Sequence, residues 1–356
     1  MAAGGLGGVL FNSQHNFAWL TGGGSNGIDL SRENGASYLL VRHDGKRFLI
    51  ANNIEMPRLL AEEVSENDFE PIELSWQAEK TSKKSISEIA ASLLLDSSEL
   101  GSDIYLDHQI HPIEPLISAC RHQLTDAELI RYRQLGRDAG KALGDAINLI
   151  SPGETEKEIS RTVRDTLASY DIYSVVTLVG ADDRLKEFRH PVPTENDWKN
   201  SLLIAVCARR HGLIASLSRI ITAGVDPELE RNTEAVATVN SRLFAATRPD
   251  ASASDLYKIA TEAYAELGFA DEIDKHHQGG ACGYRTRDWN AHSSSSETAK
   301  HHQAFAWNPS ITGTKIEETG IVTESGFEVI TATPGFPQIS VVVDGREYIS
   351  PGILSL

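Results

Sequence analysis

The sequence predicts an α/β (α+β) protein made of two consecutive domains, residues 1–122 and 123–356. Strand-like and helix-like segments alternate over about the first 120 residues, and a helix-start signal follows near residue 125. Two short strand-like runs meet around a proline and a glycine near residue 310. A chain of 356 residues is long enough for each domain to bury its own core.

The N-terminal half shows regular alternation of strand and helix signals. Two apolar runs, Ala36 to Val41 and Arg47 to Ala51, flank an Asp-Gly pair, which predicts a hairpin. Four further elements are predicted: a helix over 53–63 with Pro57 near its first turn, a strand over 69–74, a helix over 85–95 and a strand over 103–107.

The C-terminal half begins with a long helix. Thr125 and Glu128 have the spacing of a capping box, and an apolar period of helical type continues to about Ile150. The remaining elements are predicted as strands near 175–179 and 202–207, helices over 227–246 and 253–267, a glycine-rich segment at 279–283 and a closing hairpin within 301–320.

Composition and charge exclude several classes of partner. The net charge of −17 argues against nucleic acid and anionic membranes, both of which favour a basic face. The three cysteines, Cys120, Cys207 and Cys282, have no CxxC spacing, which indicates reduced thiols. The sequence shows no apolar run long enough to cross a bilayer and no secretory signal, so we expect a cytoplasmic protein.

The closing hairpin resembles that of the creatinase/aminopeptidase P family (peptidase family M24, the pita-bread fold). Residues 307–310 read Trp-Asn-Pro-Ser and residues 313–319 read Gly-Thr-Lys-Ile-Glu-Glu-Thr. Family members usually read Val-Glu-Pro-Gly and Gly-x-Arg-Ile-Glu-Asp-Thr. Residues 16–22, Asn-Phe-Ala-Trp-Leu-Thr-Gly, resemble the N-terminal domain of creatinases and prolidases. The resemblance spans essentially the whole chain and implies such a domain followed by a pita-bread catalytic domain, in a homodimer.

The same resemblance implies a two-metal centre with five ligands, two aspartates, a histidine and two glutamates. The aspartate positions match Ala205 and Ser216, and the histidine position matches Gly280. The glutamate positions match Asn308 and Glu317, so Glu317 alone keeps a ligand. We therefore predict no catalytic metal and no cofactor.

Two histidine pairs lie near these positions. Adjacent residues on a strand point to opposite faces, so we expect at most one histidine of His276–His277 and one of His301–His302 to face the site. His277 is the candidate substrate contact. One glutamate with one or two histidines could bind a single transition metal weakly, but a position at the surface or core edge is expected for these histidines.

Metal loss leaves acid/base chemistry possible. His190 lies in a loop between Arg189 and two prolines, and an imidazole titrates near neutral pH. The resemblance implies a similar role, because creatinase hydrolyses a C–N bond on this fold without metal and uses histidine and glutamate. We expect His190 to transfer protons and Glu317 to orient or charge-couple that imidazole, or to orient the attacking water. The alternatives are a loop histidine bonded to backbone and a carboxylate paired with an arginine.

Arginines are dense in the segments that converge on the pocket of this fold. Arg189, Arg209 and Arg287 are candidate substrate contacts, because guanidinium groups bind carboxylates bidentately. Asn308 and Trp307 are further candidates, although a core position is equally consistent for the tryptophan. These residues predict a small substrate that is anionic or amino-acid-like.

The predicted function is metal-independent hydrolysis of a C–N bond in a small carboxylate-bearing molecule. Two alternatives stay open: a lyase that uses the same histidine and glutamate, and a binding protein without catalysis. A metal-dependent Xaa-Pro peptidase is disfavoured because its bridging hydroxide would have too few ligands.

Overall fold

A computed structural model describes residues 5–65, 67–81, 85–96, 99–106, 108, 110–224 and 226–356. The chain divides into two compact units, Met1–Arg121 and His122–Leu356. Within the described ranges, no helix is long and apolar enough to span a membrane.

The first unit contains a six-stranded mixed sheet in the order β4-β3-β2-β1-β5-β6. Its strands are β1 (Leu6–Ser13), β2 (Asn34–Arg42), β3 (Arg47–Asn52), β4 (Glu70–Leu74), β5 (Glu99–Ser102) and β6 (His111–Pro112). Its helices are α1 (Gln14–Leu20), α2 (Met56–Arg58, continued by a π-helical turn over Leu59–Glu63), α3 (Trp76–Thr81), α4 (Ile86–Ser92) and α5 (Glu114–Arg121).

The predicted hairpin of the first unit is present as the antiparallel pair β2 and β3. The strand predicted over 103–107 is wrong: β5 ends at Ser102, and Asp107 lies outside the described residues. Asp103 instead uses its carboxylate to accept the backbone N–H groups of Asn12 and Ser13, at 2.9 and 3.0 Å. Because the Asp103 side chain bonds these backbone N–H groups, it offers them an alternative to the ladder bonds that a longer β5 would make.

The second unit contains the remaining elements. They are α6 (Asp126–Ile147), α7 (Glu156–Ala168), β7 (Tyr173–Ala181), α8 (Arg184–Glu187), β8 (Ser201–Arg210), β9 (Leu213–Thr222), α9 (Pro227–Ala246), α10 (Ala253–Glu266), a 3₁₀ helix (Ala270–Lys275), β10 (Gly279–Cys282), β11 (Trp289–Asn290), β12 (Ala304–Trp307), β13 (Ser310–Ile311), β14 (Thr314–Lys315), β15 (Glu318–Thr323), β16 (Gly326–Val329), β17 (Gln338–Val343), β18 (Arg346–Pro351) and β19 (Ile353–Ser355).

Capping signals located the first helix of this unit correctly. The Thr125 side chain accepts the N–H of Glu128, and the Glu128 carboxylate accepts the N–H of Thr125 at 2.7 Å. The helix ends at Ile147, three residues before the predicted end. The strands predicted near 175–179 and 202–207 are present as the longer strands β7 and β8.

The closing hairpin is a long, interrupted antiparallel pair. Strand β12 pairs with β15, and the short strands β13 and β14 pair beyond them, with Gly313 at φ 93° in the turn. Ser218 of β9 fixes the hairpin: its hydroxyl accepts the N–H of Glu317 at 2.8 Å, and its own N–H donates to the Glu317 carbonyl at 3.0 Å. The four-stranded sheet β19-β9-β8-β7 is thereby joined to the five-stranded sheet β11-β10-β12-β15-β16.

Helix α6 packs closely against the segment that follows β16. Gly136 and Gly140 lie one turn apart on the same face of α6, where a side chain would meet main chain. A Cβ atom would lie 2.4 Å from the Ile330 carbonyl oxygen at Gly136 and 2.3 Å from the Ala332 carbonyl oxygen at Gly140. Glycine at these positions therefore permits the helix to approach the backbone.

Replacing Gly140 with alanine tests this packing. Alanine has the higher helix propensity, by about 1 kcal/mol. We nevertheless expect Gly140→Ala to lower the free energy of unfolding by about 1–3 kcal/mol, because the added methyl group overlaps the Ala332 carbonyl oxygen. Urea denaturation measures the difference. The exposed neighbour Arg137→Ala serves as the control and should change stability by less than about 0.5 kcal/mol. A Gly140→Ala protein as stable as the parent would contradict the close approach.

Candidate active site

One cavity of the second unit brings together several residues singled out from the sequence. It has a volume of about 150 Å³, and its lining includes His190, His277, Arg287, Asn308 and Glu317. An apolar cavity of about 150 Å³ can hold a molecule the size of benzene, so the enclosed part suits a small ligand.

Glu317 is the buried anion of this cavity. Its Oε1 atom accepts a hydrogen bond from Arg287 Nη2 at 2.9 Å, and its Oε2 atom lies 3.0 Å from Lys315 Nζ. The side chains of Glu317 and Lys315 are only 6% and 5% exposed, and that of Arg287 is 15% exposed. Both carboxylate oxygens are thus bound by cations, and the three groups together carry one excess positive charge.

The charged state of this group follows from the geometry. Burial alone would raise the pKa of Glu317, but the Lys315 and Arg287 charges outweigh it and lower the pKa to about 2. Burial would lower the pKa of Arg287, yet the Glu317 carboxylate raises it above its usual value. Glu317 and Arg287 therefore stay ionised at neutral pH.

Among the described residues Glu317 makes no hydrogen bond to His190, because both oxygens of the carboxylate bind cations instead; its charge still acts on that ring and opposes the lowering of the His190 pKa. The alternative, a carboxylate paired with an arginine, is the one observed. His190 is oriented by His276, whose Nε2 lies 3.2 Å from His190 Nε2. The Nδ1 atom of His276 lies 3.2 Å from Ser310 Oγ, which also accepts a hydrogen bond from Arg189. Since Nε2 of His190 is engaged, Nδ1 is the nitrogen available to a ligand.

Of the pair His276 and His277, only His277 lines the cavity, as expected, although the two rings do not point to opposite faces. Their ring centroids are 4.5 Å apart, and those of His276 and His190 are 5.0 Å apart. His276 follows the 3₁₀ helix Ala270–Lys275, and regular strand pairing begins only at Gly279. The alternation of side chains along a strand therefore does not apply to this histidine pair.

All three histidines have lowered pKa values. Burial is the largest cause in each case; the positive charge of Lys315 acts in the same direction on all three, and that of Arg287 does so on His190 and His277. The pKa falls to about 4 for His277 and to about 2 for His276, and it is lowered for His190. The cluster is therefore neutral at neutral pH.

Two predicted arginine contacts lie away from the cavity. Arg189 forms an ion pair with Glu272 and donates to Thr312 at 2.9 Å, so its guanidinium supports the loop under the histidines. The guanidinium of Arg209 lies over the ring of Tyr173, 5.1 Å from its centroid. Neither arginine lines the cavity, so the expectation that both contact substrate is not met.

Trp307 is also not a wall of the cavity. Its side chain is fully buried, and its indole N–H donates to Thr247 Oγ1 at 3.0 Å. It packs with Phe305 in the core that α9 and α10 form with the sheet. The alternative stated for this tryptophan, a core position, is the one observed.

Lys315 was missed by the sequence reasoning. It lies two residues before Glu317, and residues two apart in extended chain share a face. That spacing was the signal that could have placed an ammonium group beside the carboxylate.

Two buried polar atoms beside the cavity have no hydrogen-bond partner among the described residues. They are the donor Nε of Arg287 and the acceptor Oδ1 of Asn308. Asn308 is 2% exposed. Buried polar groups are normally paired, so leaving these two atoms unpaired costs free energy.

The side chains present do not fit the two-metal centre implied by the resemblance. Ala205 and Ser216 carry no carboxylate, and the Ser216 hydroxyl donates to the Cys207 sulfur at 3.3 Å. A Cβ atom at Gly280 would lie 2.2 Å from the Trp289 carbonyl oxygen, so the backbone leaves no room for a histidine there. Glu317 remains, and its oxygens are bound to cations.

Comparisons with known proteins agree with this architecture. The sequence profile of metallopeptidase family M24 matches residues 131–324, more than half of the chain. The Xaa-Pro dipeptidase of Pyrococcus furiosus is 24% identical over 234 residues, which cover 62% of this chain and 66% of that protein, just under two thirds.

Solved structures show the same fold. The prolidase from Pyrococcus furiosus superposes with a TM-score of 0.76 at 20% identity and covers 94% of this chain and 98% of its own. The X-Pro aminopeptidase from Thermotoga maritima MSB8 has a TM-score of 0.76 at 16% identity and covers 99% and 98%. The predicted creatinase/prolidase-like architecture with a pita-bread domain is therefore confirmed.

Removing the Glu317 charge should destabilise the protein in a pH-dependent way. Breaking one partner of a buried ion pair leaves the other charges uncompensated, so Glu317→Gln should lower the free energy of unfolding at pH 7 by about 3–5 kcal/mol. The folded-state pKa is lowered, so the stabilisation is complete above the ordinary pKa of 4.5 and is lost as pH falls toward about 2. The difference between the two proteins should therefore shrink below pH 4.5.

Chemical denaturation of both proteins between pH 3 and pH 7 measures this effect. Glu228→Gln is the matched control, because Glu228 forms an exposed ion pair with Lys186 at 3.1 Å. It should cost less than about 1 kcal/mol at any pH. If the two substitutions lowered the free energy of unfolding equally at pH 7, the pairing of Glu317 with Arg287 and Lys315 would be contradicted.

Proposed function

Because this chain belongs to metallopeptidase family M24 but has side chains that do not fit a two-metal centre, we propose that it hydrolyses a C–N bond in a small carboxylate-bearing molecule without that centre. One observation carries the proposal: the glutamate retained from the ligand set is bound by Arg287 and Lys315. The positive charges that two metal ions would supply are provided here by side chains.

The cavity favours an anionic ligand that also carries an N–H group. Arg287 and Lys315 leave one positive charge beyond that of Glu317, and guanidinium groups bind carboxylates strongly. The guanidinium of Arg287 can donate to a carboxylate, and the side-chain amide of Asn308 can hydrogen-bond an amide, amidine or guanidino group. A volume of about 150 Å³ suits a ligand of the size of a short amino-acid derivative.

Hydrolysis requires that a proton leave the attacking water and that a proton reach the departing nitrogen. A neutral His190 can accept the first proton and deliver it to that nitrogen as the C–N bond breaks and the water oxygen adds to carbon. His276 positions the His190 ring through the Nε2–Nε2 contact. Arg287 and Lys315 can stabilise negative charge that develops at the reacting carbon's substituents.

An assay of a substrate panel, with analysis of the products, distinguishes the hydrolase from the lyase and from the non-catalytic binding protein. An Xaa-Pro dipeptide also contains a C–N amide bond, so such dipeptides belong in the substrate panel beside N-acyl, N-carbamoyl and amidino derivatives of short amino acids. Hydrolysis transfers oxygen from isotopically labelled water to the product, whereas elimination yields an unlabelled, unsaturated product. Tight binding without turnover would favour the non-catalytic protein.

His190→Ala tests the proton-transfer role. Loss of a general acid/base should lower kcat by about 10²–10⁴-fold in chelator-treated protein, with steady-state kinetics on the best substrate of the panel as the measurement. His111→Ala, at an exposed histidine of the first unit, should leave kcat unchanged. Activity that returns only when Mn²⁺, Co²⁺ or Zn²⁺ is added would refute the metal-independent mechanism.

Arg287→Lys tests carboxylate recognition. Lysine keeps the charge but loses the planar donor set, and hydrogen bonds to charged groups contribute about 1.5–3 kcal/mol. We expect kcat/KM for the carboxylate substrate to fall by about 10–100-fold, while the rate with the corresponding carboxamide changes little.

Arg209→Lys is the matched control, since that guanidinium lies over Tyr173 outside the cavity. Its kcat/KM should stay within about twofold of the parent, because no contact to the ligand is removed. Equal losses for the two arginine variants would contradict the assignment of the cavity as the substrate site.

A further inference from the structure

Three histidines from two separate segments meet at the edge of the cavity. Each of His190, His276 and His277 offers a ring nitrogen that lies within 4.8 Å of those of the other two. We infer that these histidines form a binding site for a single late transition-metal ion, such as Zn²⁺, distinct from a two-metal centre. This site uses none of the five positions at which the family resemblance implies ligands.

The spacing of the nitrogens suits such an ion. In a tetrahedral zinc site with Zn–N bonds of about 2.0–2.1 Å, two ligand nitrogens lie roughly 3.3–3.4 Å apart. The Nε2 atoms of His190 and His276 are 3.2 Å apart. His277 is exposed and can complete the set by a small rotation of its side chain.

The available lone pairs also suit a metal. All three imidazoles are neutral at neutral pH, and the neutral form is the one that binds metals. Among the described residues, neither ring nitrogen of His277 makes a hydrogen bond. When the ion binds, it replaces the hydrogen bond between the Nε2 atoms of His190 and His276, and both of these rings keep their single proton on Nδ1.

A supporting contact of the kind seen around metal ligands is already present. Nδ1 of His276 lies 3.2 Å from Ser310 Oγ, so this nitrogen can donate to the hydroxyl while Nε2 binds the ion. Arg189 holds the same hydroxyl from the other side. The ring of the most buried histidine is therefore oriented by its surroundings.

The ligand type selects the ion, and the local charge weakens its binding. Imidazole favours zinc, copper, nickel and cobalt over magnesium and calcium, which prefer oxygen. Lys315 and Arg287 repel a cation, and Glu317 offsets only one of their charges. The imidazole ligands therefore select the ion, and the repulsion weakens its binding enough to make it reversible.

Metal binding and the proposed catalysis compete for the same group. An ion on Nε2 of His190 leaves the proton on Nδ1, and this ring can then no longer accept a proton. The inference does not depend on the proposed function, because the site is defined by binding. If both hold, Zn²⁺ should inhibit the metal-free enzyme.

The test is a titration of metal-depleted, full-length protein. Zn²⁺ binding is measured by calorimetry, and Co²⁺ binding by the visible absorption of a tetrahedral cobalt centre. We expect one ion per chain. His277→Ala and His190→Ala, both at exposed positions, should each weaken binding by about 100-fold or more, because loss of a supporting contact alone costs about 10–100-fold.

Two further variants separate a built site from incidental binding. Ser310→Ala should weaken Zn²⁺ binding by about 10–100-fold through loss of the orienting contact to His276. His111→Ala removes an exposed histidine elsewhere and should leave the affinity unchanged. Absence of a bound ion, or an affinity that is the same in His277→Ala and the parent, would overturn the inference.

Activity measured in the same samples distinguishes the two proposals. A metal-free protein that is active and inhibited by Zn²⁺ supports both. A metal-free protein that is inactive until Zn²⁺ is added refutes the metal-independent hydrolase but leaves the three-histidine site intact. An active protein that binds no ion refutes the site alone.

Discussion

A buried carboxylate bound by two side-chain cations governs the chemistry of this protein. Glu317 reaches Arg287 through one oxygen and Lys315 through the other, and Ser218 fixes its main chain from the central strand β9. This group gives the cavity its excess positive charge. It also helps to keep the nearby imidazoles neutral, because the Lys315 charge adds to the effect of burial on the pKa of His276 and both cations add to it for His277. The proposed substrate charge, proton transfer and metal binding all depend on this one arrangement.

The relation to family M24 is one of retained fold and altered charge. The chain superposes on prolidase and X-Pro aminopeptidase structures over nearly its whole length. Inside the same framework, Ala205 and Ser216 supply no negative charge, and the Trp289 carbonyl oxygen closes the space at Gly280. With a single carboxylate, the site cannot balance the charge of two divalent cations. The ammonium group of Lys315 and the guanidinium group of Arg287 carry less charge, and the one carboxylate that is present pairs with both.

The histidine cluster shows how one set of atoms can support two kinds of chemistry. A neutral imidazole can bind a proton or a metal ion through the same lone pair. His276 is buried and held by Ser310, whereas His190 and His277 are exposed. The buried ring is thus suited to positioning, and the exposed rings are suited to contact with ligands.

Short-range signals in the sequence determined the secondary structure and the family. The capping box of Thr125 and Glu128, the Asp-Gly hairpin and the closing hairpin depend on residues a few positions apart, so their pattern is readable without a structure. Only the tertiary structure decided which side chains share the cavity. Arg189 forms an ion pair with Glu272, Trp307 packs in the core and donates to Thr247, and Glu317 forms an ion pair with Arg287. In each case the two partners are 30 or more positions apart in the sequence. The physical reason is that a buried charge or polar group must find its partner wherever the fold provides one, and local sequence does not encode that choice.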